Sequence, residues 1–115
     1  MDDLILKMTP AFEKKANELL TAEALEDLLD YLESNPSKGD LISGTSGVRK
    51  LRWKTGKNDR GKSGGVRVLY HYSKGILILL ITLYGKSEKD NISQRERNEL
   101  KRTIPLLVAK YLEDL

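Results

Sequence analysis

The longest apolar run in the chain covers residues 76–83 and is interrupted only by Thr82. It follows a Lys74-Gly75 turn and leads into Tyr84. Its composition is typical of a strand that is buried on both faces. The run is too short to span a bilayer. We therefore expect residues 76–84 to form the central strand of a sheet.

Local signals place the other elements around this strand. Residues 4–6 predict a short first strand, and residues 37–47 are turn-rich. Three helix starts are marked by capping side chains, at Thr9-Pro10, Thr21 and Ser93-Gln94-Arg95-Glu96. Further strands are predicted from residue 48 to about 54 and over 66–73, on either side of a polar loop.

The resulting order is β-α-α-β-β-β-α. It predicts an α+β fold in which a small, mostly antiparallel sheet packs against an N-terminal helix hairpin and a C-terminal helix. Pro105 lies inside the last helix, and we expect it to kink that helix or split it in two.

Length and composition restrict the kind of protein. With 115 residues, of which 39% are apolar, the chain is expected to form one folded domain over residues 1–115. There are no cysteines, which excludes disulfides, thiolate chemistry and cysteine-based zinc sites. The acidic start, Met1-Asp2-Asp3, is unlike a secretory signal. We expect a cytoplasmic protein that does not enter membranes.

Charge is distributed unevenly along the chain. The first 47 residues carry ten acidic and four basic side chains. Residues 48–67 carry eight cations and only one carboxylate, that of Asp59. The cations are Arg49, Lys50, Arg52, Lys54, Lys57, Arg60, Lys62 and Arg67. Such a segment predicts a surface that binds a polyanion, with nucleic acid as the first candidate.

The strand that begins this segment should present its cations on one side. Alternation with a period of two puts Lys50, Arg52 and Lys54 on one face of the sheet. Leu51 and Trp53 then share the other face, where Trp53 is expected to be core.

The remaining polar and aromatic candidates are weaker. His71, the only histidine, shares the parity of Arg67 but lies four residues further on, roughly 13 Å along a strand. We therefore do not expect His71 in the same site. Tyr84 is compatible with stacking on a base and with core packing. Residues 56–63 match the string of a phosphate-binding loop, but a strand follows instead of the helix that such a loop requires.

Metal and histidine chemistry have no support in this composition, so we expect no metal site and no cofactor. Cations alone can cleave RNA if the ribose 2′-hydroxyl attacks the adjacent phosphate. A lysine crowded by other cations has a lowered pKa and can take the hydroxyl proton, while arginines hold the charge that builds on phosphorus. Binding of nucleic acid without cleavage is equally compatible with these residues.

A spaced series of motifs adds a family resemblance that covers nearly the whole chain. The series consists of Asn35-Pro36, Gly39-Asp40 and the stretches 44–52, 61–70 and 83–88. The stretches read Gly-Thr-Ser-Gly-Val-Arg-Lys-Leu-Arg, Gly-Lys-Ser-Gly-Gly-Val-Arg-Val-Leu-Tyr and Leu-Tyr-Gly-Lys-Ser-Glu. In these features the chain resembles the RelE/HigB toxins of type II toxin–antitoxin modules, and most closely their HigB-like branch.

The resemblance implies a RelE-like fold and ribosome-dependent cleavage of mRNA in the A site, which inhibits translation. It also implies a helix-turn-helix antitoxin as the neutralising partner, besides the ribosome and mRNA. Two alternatives stay open: a toxin of the same fold that inhibits gyrase, and a non-catalytic nucleic-acid-binding regulatory protein.

The resemblance also assigns roles to residues. Arg67 takes the position of the strand arginine that clamps phosphate, and Lys50 and Arg52 take the paired basic positions of the preceding strand. A shift of one residue would exchange Arg49 for one of these two. Lys86 takes the basic position after the last strand, which completes the predicted catalytic set. The predicted RNA-binding residues are Arg49, Lys54, Lys57, Arg60, Lys62 and Tyr84.

Overall fold

The computed structural model describes residues 4–57, 65–85, 89 and 91–115. Its elements are β1 (Ile5–Met8), α1 (Pro10–Leu19), α2 (Ala22–Ser34), β2 (Asp40–Leu41), β3 (Val48–Trp53), β4 (Val66–Ser73), β5 (Leu77–Gly85) and α3 (Gln94–Glu113). The predicted order is confirmed with one addition. The turn-rich segment contains the two-residue strand β2, which pairs with β3.

The five strands form one sheet in the order β1-β5-β4-β3-β2. Only β1 runs parallel to its neighbour, and the other three pairings are antiparallel. Strand β5 lies between β1 and β4, and both of its faces are fully buried from Leu77 to Leu80. The prediction from its apolar composition is therefore confirmed.

Helices cover both faces of the sheet. On one face, α1 and α2 contribute a core that includes Phe12, Leu28 and Leu32. On the other face, Ile104 and Val108 of α3 pack against a second cluster that includes Val48, Leu69 and Tyr84. We call these the hairpin face and the α3 face of the sheet.

The three predicted helix starts are confirmed. The Thr9 hydroxyl accepts the amide N–H of Phe12 at the start of α1, and Thr21 accepts that of Ala24 at the start of α2. Ser93 and Glu96 form the reciprocal capping box of α3. These caps satisfy amide groups that have no partner within the helix.

Of the two outcomes predicted for Pro105, the split does not occur, because α3 is a single helix that contains this residue. A proline has no N–H and leaves the carbonyl four residues earlier, here that of Lys101, without its helical donor. The Ser46 hydroxyl donates to this carbonyl across 2.9 Å. A hydrogen bond from a loop thus replaces the one that the helix lacks.

Strand β5 contains an irregularity that changes which side chains face α3. Leu69 pairs with Thr82 and the next residue of β4, Tyr70, pairs with Leu80, so Ile81 is passed over in the register. The Thr9 hydroxyl donates to the Ile81 carbonyl at 2.6 Å. Such a bulge shifts the alternation of side chains, and it brings Tyr84 to the α3 face.

Candidate functional site

Three residues form a row across the α3 face. Arg67 on β4 pairs in the register with Arg52 on β3 and with Tyr84 on β5. Arg67 is only 5% exposed and Tyr84 is 2% exposed, whereas Arg52 is exposed. Because Arg67 lies in the middle of the sheet, pairing with strands on both sides determines the position of its backbone.

Lys50 extends this row into a cationic group. It lies two residues before Arg52 on β3 and therefore on the same face. Its ammonium group donates to Oδ1 of Asn91 at 2.8 Å, in the segment that leads into α3. Lys50, Arg52 and Arg67, which we call the cationic row, thus lie together on the α3 face. The alternation along β3 predicts a shared face for Lys50 and Arg52, and the pairing of β3 with β4 adds Arg67.

The geometry of the cationic row favours an anion. Side chains directly opposite each other on antiparallel strands have Cβ atoms about 4.5–5.5 Å apart, and like charges in such a pair destabilise the sheet. An anion placed between Arg52 and Arg67 relieves this repulsion. Guanidinium groups donate two parallel N–H bonds to phosphate oxygens, which suits a phosphodiester.

Lys89 lies beside Tyr84, on the opposite side of Arg67 from Arg52. Its ammonium lies 5.0 Å from the centre of the Tyr84 ring, within range of a cation–π contact. It also forms an ion pair with Glu96 at the start of α3. The hydrogen bond from Lys89, followed by that from the backbone N–H of Ser93, lowers the pKa of the Glu96 carboxyl. Tyr84 is therefore a packed residue held between Arg67 and Lys89.

Two clefts open beside the cationic row. The first, of about 210 Å³, lies between the sheet and the N-terminal half of α3. The second, of about 270 Å³, is bordered by Lys50 of β3 and Arg97 of α3, together with residues of the β2 segment. Lys89 and Arg97 were not predicted at this site from the sequence. Their only local signal is cationic charge, because Arg97 is brought here by the packing of α3 and Lys89 by the segment before α3.

Three of the predicted RNA-binding residues lie elsewhere. Arg49 lies on the hairpin face, where its Nη1 donates to the carbonyls of Ser37 at 3.0 Å and Gly39 at 2.7 Å. Lys57 donates to the carbonyl of Glu18 at 2.7 Å, at the end of α1. The structure does not bring these residues to the cationic row, and neither does it bring Lys54.

The predicted placement of Lys54 on one face with Lys50 and Arg52 is wrong. Strand β3 ends at Trp53, so the alternation does not continue to the next residue. The Lys54 ammonium instead pairs with the Asp27 carboxylate of α2 at 3.0 Å. Trp53 is on the hairpin face as predicted, and its indole N–H donates to the Ala24 carbonyl at 2.9 Å.

Lys86 from the predicted catalytic set lies outside the described residues. The same is true of Arg60 and Lys62 from the predicted RNA-binding set. Their roles stay predictions.

His71 is separate from the cationic row, as expected. It pairs with Val48 and Leu79, four residues along β4 from Arg67. Its ring lies against Gly47, and its buried Nδ1 has no hydrogen-bond partner among the described residues. Burial lowers the pKa of this imidazole below its ordinary value.

Within the described part of the chain, no three His, Asp or Glu side chains are grouped as metal ligands would be. None of the helices described there has both the length and the hydrophobicity needed to cross a bilayer.

Comparisons with known proteins identify a family from the sequence and a related fold from the structure. A sequence model described as "RelE toxin of RelE / RelB toxin-antitoxin system" matches residues 5–115. Among solved structures, the free state of the Escherichia coli toxin RelE, with two arginines replaced by alanine, is similar with a TM-score of 0.53. The similarity covers 77% of this chain and 88% of that one at 15% sequence identity, so it concerns the fold. The narrower HigB-like assignment stays a prediction.

Proposed function

Because the chain belongs to the RelE family of toxins from toxin–antitoxin systems, we propose that it is an endoribonuclease that cleaves mRNA in the ribosomal A site. The observation that carries this proposal is the cationic row, in which the mostly buried Arg67 lies opposite the exposed Arg52. A cytoplasmic location and neutralisation by a helix-turn-helix antitoxin belong to the same proposal.

The proposed reaction is a transfer of the phosphate within the RNA. The 2′-oxygen of the ribose attacks the adjacent phosphorus, the bond from phosphorus to the 5′-oxygen of the next nucleotide breaks, and a 2′,3′-cyclic phosphate forms. A base takes the proton of the 2′-hydroxyl, and an acid supplies one to the departing 5′-oxygen.

In this proposal Arg67 holds two oxygens of the scissile phosphate. Its position in the sheet is preorganised, and an interaction with a charge that grows in the transition state accelerates the reaction. Arg52, whose side chain is exposed, and Lys50 add positive charge and hold the RNA backbone. Lys86 is proposed as a fourth catalytic residue on the strength of its motif alone.

The test is a reconstituted reaction on ribosomes that carry a defined mRNA. We expect cleavage within the A-site codon and a 2′,3′-cyclic phosphate on the upstream fragment. A free 3′-hydroxyl on the upstream fragment and a 5′-phosphate on the downstream fragment would contradict the mechanism.

A second measurement separates this function from gyrase inhibition. When the protein is induced without its antitoxin, incorporation of labelled methionine should fall before that of thymidine. Loss of DNA synthesis while translation continues would favour gyrase as the target.

A further inference from the structure

The cleft beneath α3 is next to the cationic row. Its wall includes Tyr84, which pairs with Arg67, and Leu69, which pairs with Lys50. Cross-strand neighbours of this kind have Cβ atoms about 5 Å apart. When Arg67 binds a phosphate of RNA, the base of an adjoining nucleotide can therefore reach the cleft.

The cleft has the size and lining of a site for one planar ring system. About 210 Å³ is less than the ~300–1,000 Å³ typical of clefts for drug-sized ligands. Its apolar lining comes from Leu69 on the sheet, Ile92 in the segment before α3 and Leu100 on α3. Its polar lining consists of Thr82, Lys89, Glu96, Glu99 and Thr103.

The two carboxylates of this lining differ in their surroundings. Glu96 is neutralised by Lys89 and bonded to the backbone N–H of Ser93. For Glu99, no ion pair is formed with any cation of the described segments. Its carboxylate can therefore accept hydrogen bonds from a ligand, while its charge repels a phosphate. The Thr103 hydroxyl is already used, since it donates to the Glu99 carbonyl.

We propose that this cleft binds one unstacked base of the RNA, adjacent to the phosphate held by Arg67, and that Glu99 accepts hydrogen bonds from the edge of the base. The proposal rests on the RNA function proposed above and gives that site a base specificity. Arginine and lysine on the sheet take the phosphates, and the carboxylate selects bases that donate.

Guanine fits this lining best. Its ring N–H and its exocyclic amino group lie side by side and can both donate to one carboxylate. Uracil presents a single ring N–H between two carbonyl oxygens. These oxygens carry partial negative charge and are repelled by a carboxylate. Recognition of one base edge by a well-placed pair of hydrogen bonds changes affinity by about tenfold or more.

The experiment compares guanosine 3′-monophosphate, uridine 3′-monophosphate and inorganic phosphate as ligands of the purified protein. Affinities are measured by NMR titration of its backbone amides. We expect guanosine 3′-monophosphate to bind about tenfold more tightly than the uridine compound. Glu99→Gln should remove most of this difference, because the amide group offers only one acceptor oxygen. Arg67→Ala should weaken both nucleotides alike.

A matched pair of phenylalanine substitutions on α3 tests the position. Thr103→Phe puts a bulky ring at the cleft and should abolish the preference for guanine. Ala109→Phe puts the same ring at an exposed position outside the cleft and should leave the preference unchanged. Equal affinity for the two nucleotides, or an unchanged preference in both Thr103→Phe and Glu99→Gln, would overturn the proposal.

These titrations need no ribosome, which separates this inference from the proposed function. Absence of cleavage on programmed ribosomes would remove the ribonuclease function, whereas a base preference that depends on Glu99 would still support the cleft. If the protein cleaves mRNA on ribosomes but the free protein shows no base preference, the ribonuclease function stands and base binding in the cleft is excluded.

Discussion

Arg67 on β4 and Arg52 on β3 occupy directly opposed positions on neighbouring antiparallel strands. Two like charges placed this way are unfavourable for the sheet unless an anion lies between them. The pair is also asymmetric, because Arg67 is mostly buried and Arg52 is exposed. In the proposed function, the buried Arg67 positions one phosphate and the exposed Arg52 attracts the RNA backbone.

Arg67→Ala is expected to reduce the rate of cleavage by about 10²–10³, the usual cost of losing one preorganised donor. Arg67→Lys should recover part of this loss, because it keeps the charge but not the fork of two N–H bonds. Single-turnover cleavage on programmed ribosomes measures the effect. Lys14→Ala, which removes an exposed cation from α1, is the matched control. A folded Arg67→Ala protein with near-normal cleavage would remove Arg67 from the site.

Binding to the ribosome should depend on salt in a residue-specific way. Each phosphate contact contributes roughly 0.7–0.9 to the slope of the logarithm of affinity against the logarithm of salt concentration. Lys50→Ala and Arg52→Ala should each reduce this slope. Lys54→Ala should leave it nearly unchanged, because that ammonium pairs with Asp27 on the helix hairpin. Equal reductions for all three variants would argue against the assignment of the α3 face as the RNA-binding surface.

The hydrogen bond from Ser46 to the Lys101 carbonyl should be coupled to Pro105. We expect Ser46→Ala to lower the free energy of unfolding by about 1 kcal/mol, because the carbonyl then lacks both a loop donor and a helix donor. With Pro105→Ala a helical N–H becomes available, and Ser46→Ala should then cost less. Chemical denaturation of the two single variants and the double variant gives this interaction energy. Strictly additive effects would show that the two residues are independent.

Acid should destabilise the protein through His71. Burial lowers the pKa of this imidazole in the folded state, so the unfolded chain binds a proton more readily. The contribution of neutral His71 to the free energy of unfolding is therefore complete above the ordinary pKa of about 6.5. It is lost as the pH falls through the lower pKa of the folded state. His71→Gln should flatten the dependence of unfolding free energy on pH just below 6.5. An unchanged slope in this variant would assign the acid sensitivity to other groups.

Much of the fold follows from local patterns. A capping side chain acts within one turn of its own helix, so Thr9 and Thr21 predict the starts of α1 and α2 correctly. An apolar strand must be covered on both faces, so the run after Gly75 predicts the central strand β5 correctly. The strand β2 was missed because two residues are too few for a pattern, and it depends on its pairing with β3. The donor that replaces the helical one before Pro105 is Ser46, which is far away in the sequence.

The sequence by itself determined the cationic character of residues 48–67 and the alternation that puts Lys50 and Arg52 on one face. Tertiary structure decided which charges meet. Because β3 ends at Trp53, Lys54 forms its ion pair with Asp27 of the helix hairpin. Because of the bulge at Ile81, Tyr84 lies on the same face of the sheet as Arg67. Packing of α3 and of the segment before it brings Glu96, Glu99 and Lys89 to the same cleft. Alternation is a property of one strand, whereas bulges, strand ends and helix docking depend on contacts between segments that are distant in the chain.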